Sequence, residues 1–195
     1  MIKTAVVILN WNGKHFLEKF LPSLLKYSST DGVEVIIADN ASTDDSISFL
    51  NANFPGLRLL ILDKNYGFTG GYNRALAQIE AKYYVLINSD IEVTPDWLNP
   101  LTELLDSDSQ IAACQPKIKS YHKKDSFEYA GASGGFIDKY GYPFCRGRIL
   151  NNVETDTGQY DDVKEVFWAT GACIAVRADL FQKMGGLDDD FFAHM

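Results

Sequence analysis

The chain predicts an α/β fold, a doubly wound and mostly parallel sheet with helices on both faces, and three observations lead there. Apolar, β-branched runs alternate with helical stretches as β-α-β-α-β-α-β over residues 1–105, the pattern left by right-handed crossovers between parallel strands. The run Tyr83-Tyr84-Val85-Leu86-Ile87 carries no alternating polar residue, as a strand buried on both faces requires. Four such runs stop abruptly in Asn or Asp. In an open α/β sheet the crevice outside the carboxyl ends of the strands is where ligands bind.

Taken in order, Thr4-Ala5-Val6-Val7-Ile8-Leu9 predicts a first strand, ending in Asn10-Trp11-Asn12-Gly13. Phe16, Leu17, Phe20, Leu21, Leu24 and Leu25 recur at helical spacing. Pro22 inside that pattern predicts a kink or a late start. Val33 to Ala38 is the second strand, ending in Asp39-Asn40, and Ser42 with Asp45 reads as a capping box for a helix to about Asn53. Leu57 to Leu62 is the third strand, running into Asp63-Lys64-Asn65-Tyr66-Gly67-Phe68. A helix is expected from Gly70 or Gly71 to Ile79, then the Tyr83 strand with its Asn88-Ser89-Asp90 ending. Thr94 as cap and Pro95 as first helical residue predict a helix to about Leu105.

Residues 106–195 are less regular. Ile111 to Ile118 reads as a strand, Tyr129 to Ile137 as an irregular hairpin, and the Gly-, Asn- and Asp-rich Tyr140 to Asp162 as a mobile loop. Val163 to Val176 reads as a long strand bent at Gly171, followed by a helix from Ala178 to Met184 with Gly185 as its C′ residue. One domain is expected, divided into a regular half at 1–105 and a less regular half at 106–195. The chain stops on Phe191, Phe192, Ala193, His194 and Met195 with no closing element, and is expected to be truncated there.

Composition narrows the function. A hydrophobic share of 46% excludes disorder, and a net charge of −8 argues against a nucleic-acid partner, which needs clustered Lys and Arg. Cys114, Cys145 and Cys173 sit in no CxxC spacing, and His15, His122 and His194 form no zinc-ligand set. No apolar run approaches the roughly 18 residues of a spanning helix.

In a parallel sheet the four polar strand endings converge on one edge. Each alone suits turn chemistry; together they favour a polar ligand. Asp39 is placed to accept hydrogen bonds from a base or ribose. Asp90 suits a hard divalent cation whose shell is completed by phosphate oxygens and water, or else it merely caps the segment before Thr94. The glycines of Asn65-Tyr66-Gly67-Phe68-Thr69-Gly70-Gly71-Tyr72-Asn73-Arg74 either free backbone N–H groups for an anion at a helix start, with Asn73 and Arg74 as further donors, or form a plain loop. The stretch is neither GxGxxG nor a P-loop.

The motifs Val7-Ile8-Leu9-Asn10-Trp11-Asn12-Gly13, Val35 to Asp44, Asn65-Tyr66-Gly67-Phe68 and Asn88-Ser89-Asp90, followed by Trp168-Ala169-Thr170-Gly171-Ala172-Cys173 and Gly185 to Phe192, resemble the family 2 glycosyltransferases of GT-A fold. The closest likeness is to the rhamnosyltransferase-like branch of bacterial surface-polysaccharide synthesis. The resemblance implies a GT-A, Rossmann-like, mostly parallel sheet plus a smaller acceptor-side mixed sheet. It implies transfer of a sugar, with inversion, from a UDP- or dTDP-sugar to a hydroxyl of a saccharide or lipid-linked acceptor. It assigns Asn10, Trp11, Asn12, Asp39, Asn65, Gly67, Asn73, Asn88 and Ser89 to the nucleotide, Asp90 to Mn²⁺ or Mg²⁺, and Trp168, Thr170 and Gly171 to the acceptor side.

The chain departs from the family's D-x-D motif, since Asn88 stands where the first Asp belongs, and Glu92 is left as a helper outside the metal's own shell. The family's general base is expected just beyond Met195, so no catalytic residue is named. A cytoplasmic location is implied, with peripheral attachment to the inner face of the membrane left open. Two alternatives stand: a nucleotide-sugar-binding fragment without turnover, and a nucleotidyltransferase, which normally carries a glycine- and basic-rich loop where this chain has Asn10 to Gly13. Tyr129, Phe136, Tyr140, Tyr142, Phe144, Trp168, Phe191 and Phe192 are read either as a sugar cleft or as core.

Overall fold

The computed structural model describes residues 2–128 and 131–190. Along the chain, β1 (Ile2–Asn10), α1 (Lys14–Tyr27), β2 (Val33–Asp39), α2 (Ser46–Asn53), β3 (Arg58–Ile61), α3 (Gly67–Leu76), β4 (Ala81–Ile87) and α4 (Asn99–Ser107) alternate strand and helix without exception. β5 (Ala113–Cys114), β6 (Gly135–Ile137), β7 (Pro143–Cys145), β8 (Arg148–Ile149), β9 (Asn152–Val153), β10 (Cys173–Arg177) and α5 (Ala178–Lys183) follow.

The main sheet has six strands in the order β3-β2-β1-β4-β10-β5. β1 is parallel to both β2 and β4, and β2 is parallel to β3. β10 runs antiparallel to β4, and β5 antiparallel to β10. The chain winds outward from β1 to β3, then returns to lay β4 on the other side of β1. That reversal is a topological switch point, and the crevice it leaves lies outside the carboxyl ends of β1 and β4.

Alternation along each strand feeds two cores. Val6, Ile8, Val85 and Ile87 pack against Leu17, Leu21 and Leu24 of α1, Leu50 of α2, and Leu101 and Leu105 of α4. Ala5, Val7, Tyr84 and Leu86 pack on the other face against Tyr72, Ala75 and Leu76 of α3 and Ala178 of α5. Both faces are covered, which is why the strands read as continuous apolar runs.

Several local expectations are corrected. α1 starts at Lys14 and continues through Pro22 to Tyr27. α2 starts at Ser46, because the Ser42 hydroxyl donates to Asp39 instead of capping a helix. α3 starts at Gly67 and ends at Leu76, earlier at both ends than the spacing predicts. Thr94-Pro95 opens no helix: Asp96 has φ +61°, which breaks the helical path, and α4 begins at Asn99.

The expected strand over 111–118 is only β5, since β10 offers it two partners, Ala175 and Val176. The stretch read as a mobile loop holds β7, β8 and β9, which with β6 form a second sheet, antiparallel throughout rather than mixed. Only Cys173–Arg177 of the expected long strand is strand. Upstream, Trp168 bridges instead to Gly135 of the small sheet. Tyr129, where the expected hairpin begins, and Phe191 to Met195 lie outside the described residues. Among the described residues, no helix is long and apolar enough to cross a membrane.

Candidate functional site

The carboxyl ends of β1, β2, β3 and β4 share one edge, and the loops after β1, β2 and β3 are laced together by side chains. Asn10 pairs in register with Asp39, and its Nδ2 donates to Asp39 Oδ1 (2.8 Å) and to Ser42 Oγ (3.1 Å). The Ser42 hydroxyl and backbone N–H donate to Asp39 Oδ1 and Oδ2 (2.6 and 2.8 Å). Asn12 turns through φ +53°, a conformation Asn tolerates. There its Oδ1 accepts from Thr43 N (2.7 Å) and Asp44 N (3.2 Å). Ala41, at φ +60°, brings the second loop back to meet it.

The third loop joins through Asn40, whose Nδ2 donates to Asn65 Oδ1 and the Gly67 carbonyl (both 2.9 Å) while its Oδ1 accepts from Tyr66 N (3.0 Å). Tyr66 donates its hydroxyl to Asp63 (2.8 Å), which holds that exposed carboxyl below its ordinary range.

This lacing separates side chains that the sequence placed together. Asp39 is 1% exposed and Asn10 is buried completely. Their polar atoms face each other and Ser42 rather than solvent. Asn10 Oδ1 has no hydrogen-bond partner among the described residues, and a Cβ at Gly13 would sit 2.5 Å from it. Glycine at 13 therefore makes room for a buried amide. Trp11 is 56% exposed; Asn12, Asn88 and Ser89 are half-buried, and Asp90 is exposed.

The glycine-rich start of α3 offers little to an anion. The Gly67 N–H donates to Asn65 Oδ1 (2.8 Å) and the Tyr66 N–H to Asn40. Gly71 serves close packing, since a Cβ there would lie 2.9 Å from the Leu9 methyls and 3.0 Å from Asn40 Nδ2. Asn73 does not face the edge loops. Its amide pairs with the Leu187 backbone in both directions (2.7 and 2.8 Å) and donates to Asp189 (2.6 Å). Arg74 stacks 3.7 Å from the Tyr66 ring centroid and approaches Asp189 at 3.6 Å.

The expected acceptor residues hold the second half together. Trp168 Nε1 donates to the Phe136 carbonyl (3.2 Å), and its ring fills the space a side chain at Gly135 would need. Thr170 is buried, takes Gln115 Oε1 on its N–H (2.9 Å) and packs on Gly131. Gly171 lies against Phe68. Phe136 and Phe144 stack at 5.7 Å, whereas Tyr140 and Tyr142 are exposed.

Beside these loops is a cleft of about 720 Å³, walled by α1, by residues 90–97 and by residues 116–124, with Asp90 at its edge. Sequence reasoning missed it, although the Lys-rich run Lys117 to Lys124 around Tyr121 was a usable signal. Glu92 lines the same cleft and is paired with Lys124. Cys173, one of its lining residues, is buried, and desolvation pushes its thiol up to about 12. Among the described residues, no three His, Cys, Asp or Glu side chains form a metal cluster.

The family model described as glycosyl transferase family 2 matches residues 5–185. The N-acetylglucosaminyl-diphospho-decaprenol L-rhamnosyltransferase of Mycobacterium tuberculosis is 26% identical over 97% of this chain and 66% of that protein. The O-antigen biosynthesis protein RfbC of Myxococcus xanthus is 24% identical over 97% of this chain and 15% of its own length. Among solved structures, S. aureus TarS 1–349 superposes with a TM-score of 0.67 at 17% identity, covering 97% of this chain and 51% of that one. The mannosyltransferase PcManGT from Pyrobaculum calidifontis, in complex with GDP-Man and Mn²⁺, gives 0.65 at 17% identity over 96% and 48%. At that identity the likeness is one of fold, and the chain spans only part of each of these proteins.

Proposed function

The chain belongs to glycosyl transferase family 2, and from that premise we propose that it serves transfer of a sugar, with inversion, from a nucleoside-diphosphate sugar to a hydroxyl acceptor in surface-polysaccharide synthesis. The observation that carries this reading is the edge itself: four parallel strand ends at a switch point, with the exposed carboxylate of Asp90 beside a cleft. The named functions of the M. tuberculosis and M. xanthus relatives support it, as do the donor and cation in the PcManGT complex.

Asp90 is exposed and carries no ion pair among the described residues. A lone carboxylate fits Mn²⁺ or Mg²⁺ when diphosphate oxygens and water complete the shell. Bound there, the cation would neutralise charge growing on the leaving diphosphate. Trp11, Asn88 and Ser89 keep solvent exposure and would meet a UDP or dTDP nucleotide, while Asn12 has its Oδ1 committed to Thr43 and Asp44 and offers only its Nδ2. Asn10, Asp39 and Asn65 act one step back, by fixing the loops that carry those contacts. Their preset geometry spares the nucleotide the ordering of three loops.

Calorimetric titration with UDP and dTDP, with and without Mn²⁺, tests the donor half. Binding is expected only with the cation, and Asp90→Ala is expected to abolish it; unchanged affinity in that variant would overturn the assignment. Product formation with a labelled nucleotide sugar separates transfer from binding alone.

A further inference from the structure

β5 breaks off at Cys114, and its register shows why. Ala112 and Cys114 lie opposite Arg177 and Ala175, with the Arg177 N–H on the Ala112 carbonyl (3.0 Å). Two residues further the same ladder would need an N–H from Pro116, which has none. The half-buried Gln115 side chain makes the connections that the strands there do not. Its Nε2 donates to the carbonyls of Pro116 (3.3 Å) and Gly131 (3.2 Å), and its Oε1 accepts the Thr170 N–H (2.9 Å). Glycine at 131, with φ +91°, permits this approach, since a Cβ there would stand 2.4 Å from Thr170 Cβ.

From Thr170 the hydrogen bonds lead to the loop that carries Asp90. The buried Thr170 accepts the Ala172 N–H on its hydroxyl (3.2 Å), and the Ala172 carbonyl accepts the Asn88 N–H (2.9 Å). On the other side of the same Ile87–Asn88 peptide, the Ile87 carbonyl accepts the Tyr72 hydroxyl (3.2 Å). The Ser89-Asp90 turn is mounted on a peptide held from two sides. Asn88, Asp90 and Ala172 line the cleft, and so do Pro116 and the residues after it. Gln115 therefore joins the segments that carry both parts of the lining.

We propose that Gln115 is a positioning residue: acting through Thr170 and Ala172, it sets where the Asp90 loop stands relative to the 116–124 wall. Its consequence for nucleotide binding rests on the transferase reading above. Mg²⁺-type cations demand near-ideal ligand geometry, so a carboxylate on a loosened loop holds a diphosphate and its cation less well. Only an amide suits the junction. Methionine brings neither donor nor acceptor, and glutamate would turn a carboxylate on two carbonyls.

The test is amide hydrogen exchange by NMR on the 195-residue chain, alongside calorimetry of UDP with Mn²⁺. Gln115→Met is expected to speed exchange of the Asn88 amide about fivefold, the weight of one hydrogen bond in a local opening, and to weaken UDP–Mn²⁺ binding severalfold. Thr170→Val keeps the shape but removes the acceptor for the Ala172 N–H. It enters the same chain of bonds one step later and should give the same two changes, so it decides the matter if the methionine variant does not fold. Phe127→Leu, in the separate small core cluster, is the control: it should lower the Tm and leave both readings at the parent values. Unchanged Asn88 exchange in the Gln115 and Thr170 variants, or equal changes in Phe127→Leu, would overturn the proposal. So would unchanged UDP–Mn²⁺ affinity in those variants of a parent that binds it. Faster Asn88 exchange in a chain whose parent does not bind UDP–Mn²⁺ would sink the transferase reading and leave the placing of the loop by Gln115 standing.

Discussion

Asp39 shows how one inward-turned residue can fix the loops at a strand edge. Its carboxylate takes three donors from Asn10 and Ser42 in a position 1% exposed to solvent. Asp39→Ala would strand those buried donors at a cost of about 2–4 kcal/mol, since hydrogen bonds to a charged group outweigh neutral ones. Urea unfolding is the check, and a loss under about 0.5 kcal/mol, the usual size for surface substitutions, would contradict this account. Gly71 sets two effects against each other. Alanine in a helix interior gains about 1 kcal/mol over glycine, but the added methyl meets Asn40 Nδ2 at 3.0 Å. Asn40 is pinned by three hydrogen bonds and has no room to yield. Overpacking of about 1–3 kcal/mol therefore wins, and Gly71→Ala is expected to lower the Tm by a few degrees rather than raise it.

At the scale of elements, the connection between residues 116–119 and residues 154–162 rests on charge. Lys117 and then Lys119 hold the Asp156 carboxyl down at about 2, below the ordinary value of about 3.9. A carboxyl depressed on folding contributes stability that is complete above about pH 4 and is lost as the pH falls through that lower value. Asp156→Asn should therefore destabilise the chain at pH 7 and narrow its difference from the parent protein between about pH 4 and 2. Parallel urea titrations across that range would show it; a difference independent of pH would remove the ion pair from the explanation. The elements also show where the sequence was readable. The four parallel strands and the helices between them were legible because each is a long apolar period bounded by turn residues. β7 to β9 were not, because two- and three-residue strands carry no period. The residues of β7 to β9 were read as loop on their Gly and Asn content, yet β7 pairs with β6 through Phe136–Phe144 and β8 joins it at Cys145–Arg148.

For the whole molecule, binding at the proposed donor site would be one equilibrium with folding. A ligand that binds only the folded chain stabilises it by about 2.7 kcal/mol at a hundred times its Kd. In a domain of this size each kcal/mol raises the Tm by roughly 2–4 °C, so UDP or dTDP with Mn²⁺ should raise it by roughly 5–10 °C, and nucleotide or metal alone by far less. A thermal shift equal with and without the metal would remove Asp90 from the site. The sequence by itself determined the layered α/β architecture and the shared edge where Asn10 and Asp39 end their strands and Asn65 and Asp90 follow theirs, because hydrophobic period and parallel crossover are properties of local runs. Only the tertiary structure decided which of those polar groups turn inward to bind one another and which face outward beside the cleft. That choice depends on partners such as Ser42 for Asn10, or Leu187 for Asn73, brought together by the folded sheet across intervals that no local pattern spans.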